Sequence, residues 1–169
     1  IRLWKTIKKD LGPAEIIHHG FGGSNISEMA YYIPRIAFNH SLKAIYMYSG
    51  SNDLSVSKQD KSPLQILETY KYVVKLLRSK FPNTPIYYIA ISPNERRWTV
   101  WDKIQETNEL IKNYSSNKPN MYFVETASAL LGADGKYQPQ LHIDDKLHFN
   151  EKGYEIWTRI MRKSIAEIK

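Results

Sequence analysis

Residues 85–91 read Pro85-Ile86-Tyr87-Tyr88-Ile89-Ala90-Ile91 and run into Ser92-Pro93-Asn94. The run is apolar and aromatic without a break, a proline opens it and a turn closes it, which is the pattern of a strand buried on both faces. Working outward, Lys43-Ala44-Ile45-Tyr46-Met47-Tyr48 repeats the pattern upstream and ends in Ser49-Gly50-Ser51-Asn52-Asp53. Met121-Tyr122-Phe123-Val124 repeats it downstream. Segments of helical period lie between these runs. Ser62-Pro63 supplies a cap and a proline for the first helical position. Leu67, Tyr70, Val74 and Leu77 then line one side of a helix as far as Phe81-Pro82. A long helix is expected over residues 98–114, and Asn150 is placed to cap a last helix that runs to residue 168. Toward the N-terminus, residues 1–10 form a basic amphipathic turn or helix that ends near Gly12-Pro13. Glu15-Ile16-Ile17-His18-His19 is expected as a further strand, followed by Gly20-Phe21-Gly22-Gly23-Ser24. Ser24 stands where it can cap a helix that runs from about residue 27 towards residue 38. Strands alternating with helices predict a parallel sheet covered on both faces.

The 169 residues suit one domain, and no repeat or linker divides them. The absence of cysteine excludes disulfides, thiolate metal sites and a cysteine nucleophile. No stretch approaches the roughly 20 apolar residues of a membrane span, and the start Ile1-Arg2-Leu3-Trp4 is not a signal peptide. The formal charge is +7. Lys71, Lys75 and Arg78, and likewise Arg159, Arg162 and Lys163, recur at helical spacing opposite apolar positions, which reads as solvated helix faces rather than a nucleic-acid footprint. No nucleic-acid partner is expected, while compartment and oligomeric state stay open.

In parallel sheets ligands gather at the carboxyl ends of the strands, so the residues just after each strand decide the chemistry. Asp145-Lys146-Leu147-His148 precedes the last helix. A carboxylate three residues from an imidazole can fix its tautomer, leaving the other ring nitrogen as a general base; an ordinary polar loop is the alternative. Gly23 lets a backbone N–H approach a ligand and Asn52 offers an uncharged amide donor. Together they suit an oxyanion hole, where one donor is worth about 2.7–4 kcal/mol, although Gly and Asn also favour plain turns. His18 and His19 point to opposite faces of a strand and cannot share a metal. His142 and Asp144 lack a third ligand. Trp98 and Trp101, three residues apart, either pack as a helix-start cluster or line a substrate pocket.

Phe21-Gly22-Gly23-Ser24, Gly50-Ser51-Asn52-Asp53 and Asp145-Lys146-Leu147-His148 resemble, in order and separation, blocks II, III and V of the SGNH (GDSL-like) hydrolases. Ser92-Pro93-Asn94 with Trp98 and Trp101 looks like the platelet-activating-factor-acetylhydrolase-like branch. The resemblance implies a three-layer α/β/α, flavodoxin-like domain over 1–169, with a five-stranded parallel sheet of order 2-1-3-4-5 and no metal or cofactor. It makes Gly23 and Asn52 oxyanion donors, His148 the base and Asp145 its orienter, with Asp53 supporting its loop. The family's Gly-Asp-Ser block is absent, and Ile1-Arg2-Leu3-Trp4 looks like the helix that follows that serine. The expectation is therefore a nucleophilic serine on a strand just upstream of Ile1. That strand would be interior in the expected order, and leaving its neighbours' backbone groups unpaired would cost about 1–3 kcal/mol each. Ser24, Ser49 and Ser51 are weaker substitutes for it.

The expected function is hydrolysis of a carboxylic ester through a serine acyl-enzyme. A small acyl group such as acetyl is expected, since nothing resembles a lid or a lipid tunnel. Two rivals stand beside it: a non-catalytic binding domain on the same fold, and a flavodoxin-like phosphate or nucleotide binder using residues 20–23. The second lacks the spacing and lysine of a phosphate loop.

Overall fold

Three of the apolar runs pair as parallel strands in a computed structural model that describes residues 1–54 and 60–168. Strand β1 (Ile45–Met47) lies beside β2 (Ile86–Ile89), and β2 beside β3 (Met121–Val124). Tyr46, Tyr87 and Tyr122 fall in register across the ladder. Their rings stack, with centroids 4.4 Å apart between the first two and 4.7 Å between the last two. Every residue of β2 is buried, as its uninterrupted apolar sequence requires.

Among the described residues, five helices cover the sheet: α1 (Ile7–Asp10), α2 (Ile26–Ile36), α3 (Pro63–Lys80), α4 (Trp101–Ser116) and α5 (Glu151–Ala166). Side chains alternate along β2 and divide the core in two. Ile86 and Tyr88 join Met47 and the apolar faces of α2, α3 and α4. Tyr87 and Ile89 join Trp4, Ile7 and Leu11 from the α1 region and Tyr154, Trp157 and Met161 from α5. This is the three-layer α/β/α arrangement. Leu67, Tyr70, Val74 and Leu77 of α3 are all buried, and Ser62 closes a capping box with Gln65.

The structure departs from the sequence reading in three places. Residues 15–19 join no ladder among the described residues, so the expected strand there is not formed. A strand needs a neighbour for its N–H and C=O groups. A cavity of about 300 Å³ is lined both by Ile17, His19 and Gly20 and by residues 44–49. For the same reason Ile45 and Tyr46 are only half-buried, and the ladder among the described residues holds three strands. The cap of α2 is Asn25, in a reciprocal box with Glu28, while the Ser24 hydroxyl donates to the Phe21 carbonyl at 3.1 Å. The long fourth helix starts at Trp101 rather than Trp98. Asn94 first caps a 3₁₀ segment, Glu95–Val100, which Arg97 (φ −116°, ψ 16°) interrupts.

Gly153 carries the closest approach in the fold. A Cβ there would lie 2.6 Å from the Leu141 carbonyl oxygen and 2.7–2.8 Å from the Phe149 side chain. Glycine to alanine normally favours a helix, but here the added methyl meets backbone. Gly153→Ala is expected to cost about 1–3 kcal/mol, the usual penalty of overpacking. Urea denaturation measures it, and a gain in stability would show that α5 can move away freely.

Candidate active site

Gly23, Asn52 and His148, which lie far apart in sequence, line the same cavity. The loop after β1 brings Asn52 there. Gly50 takes φ +99°, and a Cβ on it would sit 3.0 Å from Ile91 Cδ1, so the loop turns tightly against β2's continuation. The Asn52 amide donates through Nδ2 to the Ser24 carbonyl at 2.9 Å, which holds the loop against the glycine-rich turn. Gly23 has φ +74°, the left-handed region glycine favours, and nothing lies within 4 Å of where its Cβ would be.

Asp53 is buried, and both its oxygens are engaged. Oδ2 accepts from the Ile26 N–H at 2.9 Å and Oδ1 from the Lys61 ammonium at 2.7 Å, while Lys61 also donates to Ser27 Oγ at 2.8 Å. The carboxylate thus fastens the first turn of α2 to the Asn52 loop, and its contacts are structural ones.

His148 and Asp145 meet as their spacing suggests. The His148 Nδ1 is 2.6 Å from Asp145 Oδ2, and Asp145 Oδ1 accepts from the backbone N–H groups of Leu147 and His148 at 2.9 Å each. Burial alone would raise the Asp145 pKa. The His148 N–H, the imidazole and the Leu147 N–H outweigh it and hold the carboxyl at about 2. An ionised carboxylate only accepts, so Nδ1 carries the ring hydrogen and Nε2 is left as the acceptor. Lys146, at φ 61°, turns the backbone between the two residues. Its ammonium meets Glu95 at 2.6 Å and its carbonyl accepts from the Arg96 N–H at 3.2 Å, tying this turn to the segment after β2.

Arg97 is a site residue that the sequence reading missed. It is 8 % exposed. Its Nη2 donates to Asn52 Oδ1 at 2.6 Å, its Nε to Ser51 Oγ at 3.0 Å, and its backbone N–H to Asn94 Oδ1 at 3.0 Å. Burial pushes its pKa below the ordinary arginine value. Nothing in the charged run Glu95-Arg96-Arg97 marks which arginine turns inward; the cap at Asn94, five residues after the end of β2, is the one local signal.

The tryptophans take a different place. Trp98 and Trp101 stack with centroids 5.6 Å apart, Tyr137 meets Trp98 edge-on at 5.2 Å, and both indoles pack with the core cluster, outside the lining of the cavity. His142 is buried against Phe149, with Nδ1 3.1 Å from the Gln138 carbonyl. Among the described residues no group of three or more His, Asp or Glu side chains could hold a metal. No described helix is long and apolar enough to cross a membrane.

A parallel α/β sheet with an Asp145–His148 pair and a cavity that Gly23, Asn52 and His148 line together is an arrangement suited to hydrolysis. The chain belongs to the GDSL-like lipase/acylhydrolase family, whose model matches residues 2–156, and it is a serine esterase or acylhydrolase of the SGNH type. No curated protein sequence matches it. Among solved structures it is similar to a Streptococcus pneumonia protein described as a candidate platelet activating factor, at 18% identity, 97% of this chain, 78% of that one and TM-score 0.85. It is similar too to a GDSL-like lipase from Bacteroides thetaiotaomicron, at 19% identity, 89% and 75% coverage and TM-score 0.77. An acetyl-xylooligosaccharide esterase from Geobacillus Stearmophilus aligns at 13% identity, 88% and 71% coverage and TM-score 0.72.

The depressed Asp145 pKa has a signed consequence. A carboxyl ionised more easily folded than unfolded stabilises the fold above its unfolded pKa of about 3.9. That contribution is lost as the pH falls through about 2. The melting temperatures of the wild type and Asp145→Asn should therefore differ most above about pH 5 and converge towards about pH 2. A gap that stays constant across that range would show that the carboxylate is not held in its charged form.

Proposed function

We propose that this chain supplies the base, its orienter and the oxyanion donors for hydrolysis of a carboxylic ester through a serine acyl-enzyme. The observation that carries the reading is the convergence of the oriented His148 imidazole with Gly23 and Asn52 on one cavity. The nucleophile is a serine on a strand preceding Ile1. β1 spends one edge on β2, and its residues line the cavity together with Ile17, His19 and Gly20; a strand laid there would pair in the middle of a flavodoxin-like sheet.

The chemistry follows from the geometry. His148 Nε2 takes the hydroxyl proton as the serine oxygen attacks the carbonyl carbon, and Asp145 stabilises the imidazolium that results. Negative charge moves to the carbonyl oxygen, where the Gly23 N–H and the Asn52 amide receive it. The tetrahedral intermediate collapses with the proton passing from His148 to the leaving alcohol. Water then repeats the sequence on the acyl-enzyme, releasing the acid and the free serine. A small acyl group such as acetyl is the favoured substrate part, in keeping with the structural similarity to an acetyl-xylooligosaccharide esterase.

The test uses the full natural protein with p-nitrophenyl acetate, and a fluorophosphonate probe followed by peptide mass spectrometry. Steady turnover is expected, with the label on a serine upstream of Ile1. His148→Ala should abolish both turnover and labelling, and Asn52→Ala should lower kcat by about 10²–10³-fold. Turnover that survives His148→Ala, or a label on Ser24, Ser49 or Ser51, would overturn this assignment.

A further inference from the structure

Arg97 has no part in the proton transfers above, yet it is buried beside the residue that receives the oxyanion. We propose that Arg97 is a positioning residue for Asn52, locking the orientation of its amide and sharpening its N–H as an oxyanion donor; this rests on the esterase reading of the site.

An asparagine side chain has an oxygen and an NH₂ group of nearly equal size, and a half-turn about its last bond exchanges them. Only one orientation presents an N–H to an oxyanion. Two contacts select it at Asn52. The Arg97 guanidinium, which has donors and no acceptor, faces Oδ1 at 2.6 Å, and the Ser24 carbonyl, which only accepts, faces Nδ2 at 2.9 Å. Reversing the amide would set donor against donor and acceptor against acceptor.

The same contact acts electronically. A cationic donor on the amide oxygen draws density from the nitrogen, so the N–H gives a stronger bond to a developing negative charge. The position of the guanidinium is itself fixed. Ser51 Oγ accepts from Nε at 3.0 Å, and Asn94 Oδ1 accepts from the Arg97 backbone at 3.0 Å. No aspartate or glutamate lines the cavity among the described residues, and the acid whose charge acts on the guanidinium is Asp60. A planar fork reaches Ser51 and Asn52 together, which the single ammonium of lysine cannot do.

The test is steady-state kinetics of the full natural protein on p-nitrophenyl acetate, a neutral ester. Arg97→Ala should lower kcat by roughly tenfold or more, with KM changed less than about twofold, because the interaction matters only once charge develops. Arg97→Lys, which keeps the charge and the fold, should recover part of that loss. The decisive measurement is the double mutant. In an Asn52→Ala background, Arg97→Ala should change kcat little, since there is no amide left to orient. Losses that multiply in the double mutant, or a loss confined to KM, would overturn the positioning role while leaving the esterase site intact. If Asn52→Ala alone costs nothing, the reading of the site beneath it fails instead.

Discussion

A carboxylate withdrawn from water must find donors for both oxygens, and Asp53 meets that demand in a way that assembles the site. One oxygen takes a backbone N–H at the start of α2 and the other takes Lys61, from the segment leading into α3. Three separate pieces of chain are therefore pinned around one buried charge. Gly23 lies three residues before the pinned Ile26, and Asn52 immediately precedes Asp53 itself. Neither candidate oxyanion donor can move far without exposing an unsatisfied carboxylate, which is a steep restraint in a partly dry interior. The Asp145–His148 pair is held by an independent device. Its turn is fastened through Lys146 to residues 95 and 96, so the pair follows β2 rather than β1.

Much of this was legible from residue order alone, for identifiable reasons. The runs 86–89 and 121–124 are apolar throughout, which marks both as strands, and every residue of the first is buried while Tyr122 in the second is exposed. The Asp145–His148 pair was legible because a turn of four residues brings its ends together with little help from the rest of the fold. Caps were harder. Ser24 and Asn25 are both good candidates, and the choice fell to Asn25 because Glu28, three residues on, completes a reciprocal box. The start of α4 was misplaced because the periodicity of Trp98 and Trp101 extends into a 3₁₀ segment, which shares the same local contacts until Arg97 leaves helical geometry.

The residues least legible were those whose role depends on a distant partner. Residues 15–19 carry strand chemistry, but a strand exists only as one side of a ladder. Arg97 is more instructive. It sits in a charged run whose composition describes a solvated surface, and its inward turn follows from Asn94 and from the contacts 45 residues and more away in the β1 loop. The two tryptophans that follow are conspicuous in the sequence and end as packing, while the arginine before them faces the cavity. Prominence in a sequence reflects residue size and rarity, whereas participation in a site reflects which loops converge.

The stacked column of Tyr46, Tyr87 and Tyr122 bears on how the strands know their alignment. Ladders of three and four residues contain few hydrogen bonds, so sliding one strand past another by two positions forfeits only a few of them while returning every side chain to its original face. Hydrogen bonding alone is a poor judge between such neighbours. A file of aromatic rings is a better one, since a two-residue slide replaces ring-on-ring contact with ring against aliphatic chain at both junctions. The tyrosines act as an index mark on a ruler, and what they keep aligned is the level at which the strand ends, and the loops that follow them, emerge from the sheet.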